Sequence, residues 1–241
     1  MTDFPYYNGR PTAVTGPQWL LVMAAVALGF VVLTSPIVPM PGGLVGGFLR
    51  AILFSAIPLA ALALVAGRFW TAIFRRVGLR DVGWMIVFGV ANAVTTIAAG
   101  FVASQVMALD RNESVASVAG LGGSELAAFF LRTGLQLFGE EVLTILPLLA
   151  VMYVAHARLG LSRKGAIITA WILSAVIFAL VHLPSYNWNL VQVVLLIGLA
   201  RLILSLAYLK TKNIWVSTGA HILNDWGFFV LTALGSMLAA R

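Results

Sequence analysis

Long apolar runs separated by short polar segments dominate the chain. Runs of about 18 or more predominantly apolar residues recur along its length, and this is the length at which a helix crosses the hydrocarbon core of a bilayer. We expect every run to be helical, because each lipid-exposed backbone group must be hydrogen-bonded within its own segment. The pattern therefore predicts an all-α, polytopic transmembrane helix bundle.

The polar breaks predict seven spans, at about residues 18–40, 48–67, 84–109, 125–156, 166–183, 190–209 and 216–240. The fourth span is long enough to tilt or break, and a break at Gly134 or Gly139 would give eight spans. The basic amphipathic stretch RFWTAIFRRVGLR follows the second span and is expected to lie at the membrane interface. Without an internal repeat, we expect 1–241 to be one integral membrane domain with its motif-bearing core at about 125–240.

Composition supports this prediction and excludes other classes. Hydrophobic residues make up 61% of the 241 residues and charged residues 10%, which is more apolar surface than a soluble fold can bury. The chain has no cysteine, so disulfides and thiolate metal sites are excluded. We expect no signal peptide, because the N-terminal segment lacks a basic start followed by a cleavable apolar region.

Basic residues are distributed unequally between the two sides of the predicted bundle. Ten of them lie on one side: Arg10, Arg68, Arg75, Arg76, Arg80, Arg158, Arg163, Lys164, Lys210 and Lys212. Four lie on the other side: Arg50, Arg111, Arg132 and Arg241. The positive-inside rule then predicts a cytoplasmic N-terminus and an outside C-terminus. We expect the membrane to be a bacterial cell (inner) membrane. The net charge of +7 comes from basic residues in short loops that set the orientation of the protein in the membrane, so it does not indicate nucleic-acid binding.

Several polar or ionisable side chains fall within the predicted spans: Glu140, Glu141, His182, Arg201, His221, Asn224 and Asp225. Such residues cost several kcal/mol in a bilayer, and they usually face the bundle interior and meet one another. Phe178 lies four residues before His182 and therefore shares its helical face. A carboxylate that deprotonates water, combined with imidazoles and an amide, can perform hydrolysis.

Taken singly, each of these residues also has a structural interpretation. A buried histidine that hydrogen-bonds a backbone carbonyl is more often structural than catalytic. A glutamate in mid-helix can simply pair with Arg201, and Asn224 and Asp225 can be interfacial residues at a helix start. We interpret His156, beside Arg158, as interfacial. The joint occurrence of the others on separate helices favours a functional site.

Three motifs together resemble those of a known family. GEE in the fourth span, FALVH at the end of the fifth, and HILND in the seventh, preceded by AYLKTKNIWVSTGA, are similar to the motifs of the CPBP intramembrane endopeptidases. That family includes CAAX prenyl endopeptidases and bacterial proteins linked to bacteriocin processing or immunity. The resemblance covers about residues 134–226.

The resemblance implies a role for each matching position. Glu140 would take a proton from the water that attacks the scissile carbonyl, and His182 and His221 would hold that water or stabilise the oxyanion. Asp225 stands where the family usually has Asn or Asp, and Asn224 beside it could share its role in stabilising the water and the oxyanion. Glu140 and Glu141 are about 100° apart on a helix, so we expect only one to face the water.

One position departs from the family pattern. The first motif commonly reads EExxxR, whereas Ile145 stands here in place of the arginine. Glu141 must therefore stay protonated or find another cation. We predict that Arg201 contacts Glu141 and so orients Glu140 towards the water. The alternative is that Arg201 extends to the interface and touches neither glutamate.

The function expected from the resemblance is an intramembrane endopeptidase acting without a metal on a membrane-associated peptide or protein. Zinc bound by His182, His221 and Glu140 is a weaker alternative, because the two histidines lie on different helices. A second alternative is a catalytically silent family member that acts as an immunity or scaffold protein. A third is a proton-coupled transporter in which Glu140, His182 and Asp225 relay protons. Apart from the substrate and the lipid bilayer, no partner is predicted, and the oligomeric state stays open.

Overall fold

The computed structural model describes residues 3–110 and 112–239. Arg111, Ala240 and Arg241, which entered the predictions of orientation and of the last span, lie outside the described residues. Within the described chain every regular element is helical, which confirms the all-α prediction. The α-helices are α1 Gly16–Thr34, α2 Gly43–Ala66, α3 Leu79–Ser104, α4 Glu113–Ser117, α5 Gly123–Tyr153, α6 Arg163–Val181, α7 Leu190–Gln192, α8 Gly198–Thr211 and α9 Ile214–Ala239.

Six helical segments of the described chain are long and apolar enough to cross a membrane. They are Gly16–Thr34, Gly43–Ile73, Leu79–Ser104, Gly123–Arg158, Arg163–Val181 and Leu190–Thr211, and they correspond to the first six predicted spans. The seventh predicted span coincides with α9, which has 26 residues but is not one of these six. The protein is an integral membrane protein built as a helical bundle.

The fourth predicted span is continuous. Helix α5 runs through both Gly134 and Gly139 and continues directly into a π-helical turn, Val154–Arg158, so the break considered from the sequence does not occur. A glycine in mid-helix costs only about 1 kcal/mol relative to alanine, and packing outweighs that cost here. A Cβ atom at Gly139 would overlap the ring of Phe54 on α2, so the glycine allows the two helices to approach closely.

The first helix ends earlier than the apolar pattern predicts. Helix α1 stops at Thr34, whereas the predicted span reaches Met40. Pro36 explains the difference, because a proline disfavours helical geometry at the residue before it and lacks a backbone donor. Arg50 on α2 then binds the end of the helix through its guanidinium, which donates to the carbonyls of Val32, Ser35 and Val38.

The chain divides into two compact units, and the first comprises Met1–Arg76, Arg132–Ser174 and Thr211–Trp215. It contains α1, α2, most of α5 and the first half of α6. Residues 141–150 of α5 are all buried. The expectation of a single integral membrane domain stays a prediction.

An N-terminal segment, residues 3–15, packs into the first unit. Phe4, Tyr6, Tyr7 and Val14 are buried there. The Tyr6 hydroxyl donates to the backbone carbonyl of Phe69 at 2.7 Å. The sequence does not predict this burial, because the segment has neither helical nor strand periodicity.

The second unit comprises Val77–Leu131, Ala175–Lys210 and Val216–Arg241. In this unit α3 packs on α8 and α9 through apolar side chains. Helix α3 contributes Trp84, Met85 and Phe88; α8 contributes Leu204 and Ala207, and α9 contributes Val216 and Ala220. A second cluster joins the start of α5 to α9, with Phe129 5.1 Å from Phe229 and Phe130 5.2 Å from Trp226 between ring centroids. These contacts position α9, which carries the third motif.

Candidate active site

Phe178 and His182 lie at the C-terminal end of α6, with their ring centroids 4.4 Å apart. This contact confirms the predicted shared face. His182 also hydrogen-bonds through Nδ1 to the backbone carbonyl of Phe178, at 2.7 Å. A carbonyl can only accept, so Nδ1 donates this bond; if the ring is neutral, Nε2 is the acceptor nitrogen.

His221, on α9, lies beside the same phenyl ring. Its ring centroid is 6.2 Å from that of Phe178, in an edge-to-face arrangement, and the side chain is buried. One turn further along α9, an Asp225 carboxylate oxygen lies 3.7 Å from His221 Nε2. The Asn224 amide donates to the other carboxylate oxygen of Asp225 at 2.7 Å. Asn224 and Asp225 therefore form a pair beside His221.

Arg201, on α8, completes this group. Its Cζ atom lies 4.9 Å from the centroid of the Phe178 ring, and its Nε donates to the hydroxyl of Ser205 at 3.2 Å. The residue is fully buried, which disfavours the alternative in which Arg201 extends to the interface. We refer to the six residues Phe178, His182, Arg201, His221, Asn224 and Asp225 as the Phe178 cluster.

The two adjacent glutamates on α5 differ in exposure. Glu140 is partly exposed and accepts a hydrogen bond from the Gln136 amide at 3.1 Å, whereas Glu141 is fully buried. The offset of about 100° between neighbouring helical positions accounts for this difference. Ile145, one turn after Glu141, is also fully buried.

A model of the family described as type II CAAX prenyl endopeptidase Rce1-like matches residues 122–227. This segment, called the Rce1-like segment below, is similar to the Rce1-like family. The match confirms the resemblance based on three motifs, since the Rce1-like segment contains both glutamates and the whole Phe178 cluster. The family is one of proteases. No curated protein and no solved structure matches the chain.

Within the Rce1-like segment, the predicted site residues fall into two groups. The structure brings the Phe178 cluster together within the second unit, whereas Glu140 and Glu141 belong to the first unit. The predicted contact between Arg201 and Glu141 joins residues of different units and stays a prediction.

Metal binding by the Rce1-like segment also stays a prediction. Among the described residues, no group of three or more His, Cys, Asp or Glu side chains is arranged to hold a metal ion. The zinc alternative with His182, His221 and Glu140 and the expectation of metal-independent chemistry are both left to experiment.

The sequence patterns did not identify two polar residues that bind site residues. Gln136 binds Glu140, and Ser205 binds Arg201. Each lies four residues from its partner, on the same helical face. A polar residue one helical turn from an intramembrane charge is the signal that could have identified both.

Proposed function

We propose that the protein is an intramembrane endopeptidase that hydrolyses a peptide bond of a membrane-associated peptide or protein with a water activated by Glu140. The Phe178 cluster carries this proposal, because it gathers two imidazoles, an amide and a carboxylate from α6 and α9 inside the Rce1-like segment. The family description suggests a prenylated C-terminal peptide as the substrate class.

Glu140 suits the role of general base. Its carboxylate accepts a hydrogen bond from Gln136, and a carboxylate has about four acceptor positions, so it can also accept from a water. The helix around it is largely buried, yet Glu140 itself is partly exposed. In the proposed step, the water oxygen attacks the carbonyl carbon while its proton passes to Glu140. The proton then moves to the leaving amine as the C–N bond breaks.

The histidines suit complementary roles. In the neutral form of His182 that donates from Nδ1 to the Phe178 carbonyl, Nε2 would accept a hydrogen bond from the attacking water. A ring N–H of His221 can donate to the carbonyl oxygen, which gains negative charge in the tetrahedral transition state. Asn224 donates a hydrogen bond to Asp225 beside His221. The two side chains would keep the N–H of His221 oriented towards the carbonyl oxygen.

Cleavage of a fluorescence-quenched peptide by the purified, reconstituted protein tests the proposal. The substrate would carry a C-terminal prenylated cysteine motif, and the same peptide without the prenyl group would test that requirement. Glu140→Gln should lower kcat/KM by about 10²–10⁴-fold, the range for loss of a general base. Glu125→Gln is the matched control, since Glu125 lies on the same helix and is exposed; it should leave cleavage unchanged.

Two results would overturn parts of this proposal. Wild-type rates in Glu140→Gln would exclude Glu140 as the base. Activity that is lost on exhaustive chelation and restored only by Zn²⁺ would exclude the metal-independent mechanism.

A second candidate function has one observation in its favour. Ile145 is apolar and fully buried where the family commonly has an arginine, and a silent immunity or scaffold protein would need no cation there. In that case the purified protein would cleave neither peptide. The cellular phenotype of a deletion strain would then be restored equally by wild type and by Glu140→Gln.

A further inference from the structure

A cavity of about 310 Å³ opens beside the 3₁₀ turn Gly67–Ile73, which follows α2 in the first unit. Its walls include two basic side chains, three aromatic or apolar ones and one hydroxyl, but no carboxylate: Arg68, Arg75, Phe69, Phe74, Pro11 and Thr71. The cavity shares no residue with the Phe178 cluster, and the proposed protease function does not use it.

The two arginines bring positive charge to the cavity. The Cζ atom of Arg68 lies 4.9 Å from the centroid of the Phe69 ring, and Nη2 of Arg75 donates to the backbone carbonyl of Asp3 at 3.3 Å. A ring and a carbonyl are both uncharged, so these contacts orient the guanidiniums without neutralising them. A guanidinium has five donors in a planar fork, which matches phosphate oxygens better than an ammonium does.

The cavity walls are held in place by hydrogen bonds from other segments. The Tyr6 hydroxyl donates to the carbonyl of Phe69 at 2.7 Å. The backbone N–H of Arg75 donates to the side-chain carbonyl of Asn213 at 3.1 Å, and the Asn213 amide donates back to the Arg75 carbonyl at 3.3 Å. A preformed site loses less entropy on binding than one that must be ordered by its ligand.

The position of the cavity favours a lipid over a soluble anion. It lies at the C-terminal end of the candidate span Gly43–Ile73, where we expect the hydrocarbon region to give way to the headgroups. Aromatic rings cluster there, with Phe74 5.7 Å from Trp70 and 5.2 Å from Trp215 between centroids, as in the aromatic belts of membrane proteins. An amphiphile can place its phosphate on the arginines and its glycerol and first methylenes on the rings.

We propose that this cavity binds the phosphate of an anionic phospholipid headgroup. Native mass spectrometry of the full chain in detergent, titrated with phosphatidylglycerol, tests the proposal. Wild type should bind one lipid in preference to phosphatidylcholine with the same acyl chains, by about tenfold or more. Arg68→Gln with Arg75→Gln should raise the apparent Kd by about 25-fold, from roughly fivefold for each cation near a charged headgroup.

The matched control is Arg76→Gln with Arg80→Gln, because both residues are exposed and neither lines the cavity. This control should stay within about threefold of wild type. Arg68→Lys with Arg75→Lys keeps both charges but loses the planar fork, so its Kd should lie between those of wild type and of the glutamine pair. If the glutamine double variant fails to fold, the Kd of this lysine double variant, compared with wild type, tests the proposal in its place.

Three outcomes would overturn the proposal. Equal weakening by both glutamine pairs would indicate diffuse surface charge. Equal affinity for phosphatidylcholine and phosphatidylglycerol would indicate an apolar groove that ignores headgroup charge. Displacement of the lipid by millimolar inorganic phosphate, with no preference for the intact lipid, would indicate a site for a soluble anion.

Discussion

The guanidinium of Arg201 lies over the ring of Phe178, with Cζ 4.9 Å from the ring centroid. The same ring is 4.4 Å from the ring of His182 and 6.2 Å from that of His221. A desolvated cation–π contact contributes up to about 2 kcal/mol. Phe178 therefore packs against both imidazoles and the buried guanidinium, and it fixes the positions of these three groups relative to one another.

We expect Phe178→Leu to lower both stability and activity. Leucine keeps the site apolar but removes the ring face that contacts Arg201, so the loss should be about 1–3 kcal/mol. Thermal unfolding in detergent and kcat/KM on the peptide substrate would measure the two effects. Phe101→Leu is the control, since Phe101 is exposed on α3. Equal melting of both variants and wild type would show that the ring has no such role.

Replacing Arg201 tests the predicted partner Glu141. Arg201→Leu should destabilise by roughly 3–5 kcal/mol if it leaves a buried carboxylate without its cation. Adding Glu141→Gln should recover part of the stability and part of the activity, because the glutamine carries no charge. Adding Glu125→Gln instead should recover nothing. If Glu141→Gln gives no recovery in thermal unfolding, the Arg201–Glu141 pairing is incorrect.

Gly139→Ala should destabilise the first unit. Its Cβ atom would overlap the Phe54 ring, and overpacking of this kind costs about 1–3 kcal/mol. In a double-mutant cycle, Phe54→Leu should make the alanine less costly, because leucine lacks the clashing ring atoms. Gly100→Ala is the matched control, since a Cβ atom there meets no neighbour. Similar melting temperatures for the two alanine variants would contradict the close approach.

The ion pair of Asp3 with Arg163 should give the stability a dependence on acid pH. The hydrogen-bonded Arg163 guanidinium lowers the pKa of Asp3 from 3.8 to about 2. A lowered pKa stabilises the folded state above the ordinary value, and this contribution is lost as the pH falls towards 2. We expect wild type to melt above Asp3→Asn at neutral pH, with the difference shrinking between about pH 4 and pH 2.

The size of that difference should be modest, because the two side chains are 50% and 34% exposed and such pairs contribute at most about 1 kcal/mol. Arg163→Gln removes the same pair and should reproduce the pH profile of Asp3→Asn. A pH-independent difference would show that Asp3 acts through packing and not through its charge.

The helical spans could be predicted because the apolar runs match the bilayer thickness. The ends of the spans were less accurate, as at α1, where Pro36 stops the helix inside an apolar run. The candidate site residues could be named from the sequence for a similar reason. His182 and His221 stand out in apolar segments because a bilayer penalises polar side chains that lack a role.

The tertiary contacts could not be predicted from one sequence. Nothing in the spacing of Phe178 and Arg201 indicates that they meet, because they lie on different helices and a single sequence carries no covariation to relate them. The burial of Tyr6 was missed for another reason. Its segment has no regular periodicity, and only the fold supplies the partner at Phe69.

Helix α3 has a consequence for how the protein responds to bilayer thickness. Its 26 residues span about 39 Å, which exceeds a hydrocarbon core of about 30 Å. Only 11% of its most apolar stretch is buried, against 78% for Gly123–Arg158, and Trp84, Met85 and Phe88 near its start pack on α8 and α9. A thinner or thicker membrane would therefore be accommodated by tilting of α3 about that contact. Helix α5, enclosed by protein, would keep its glutamates at an unchanged depth.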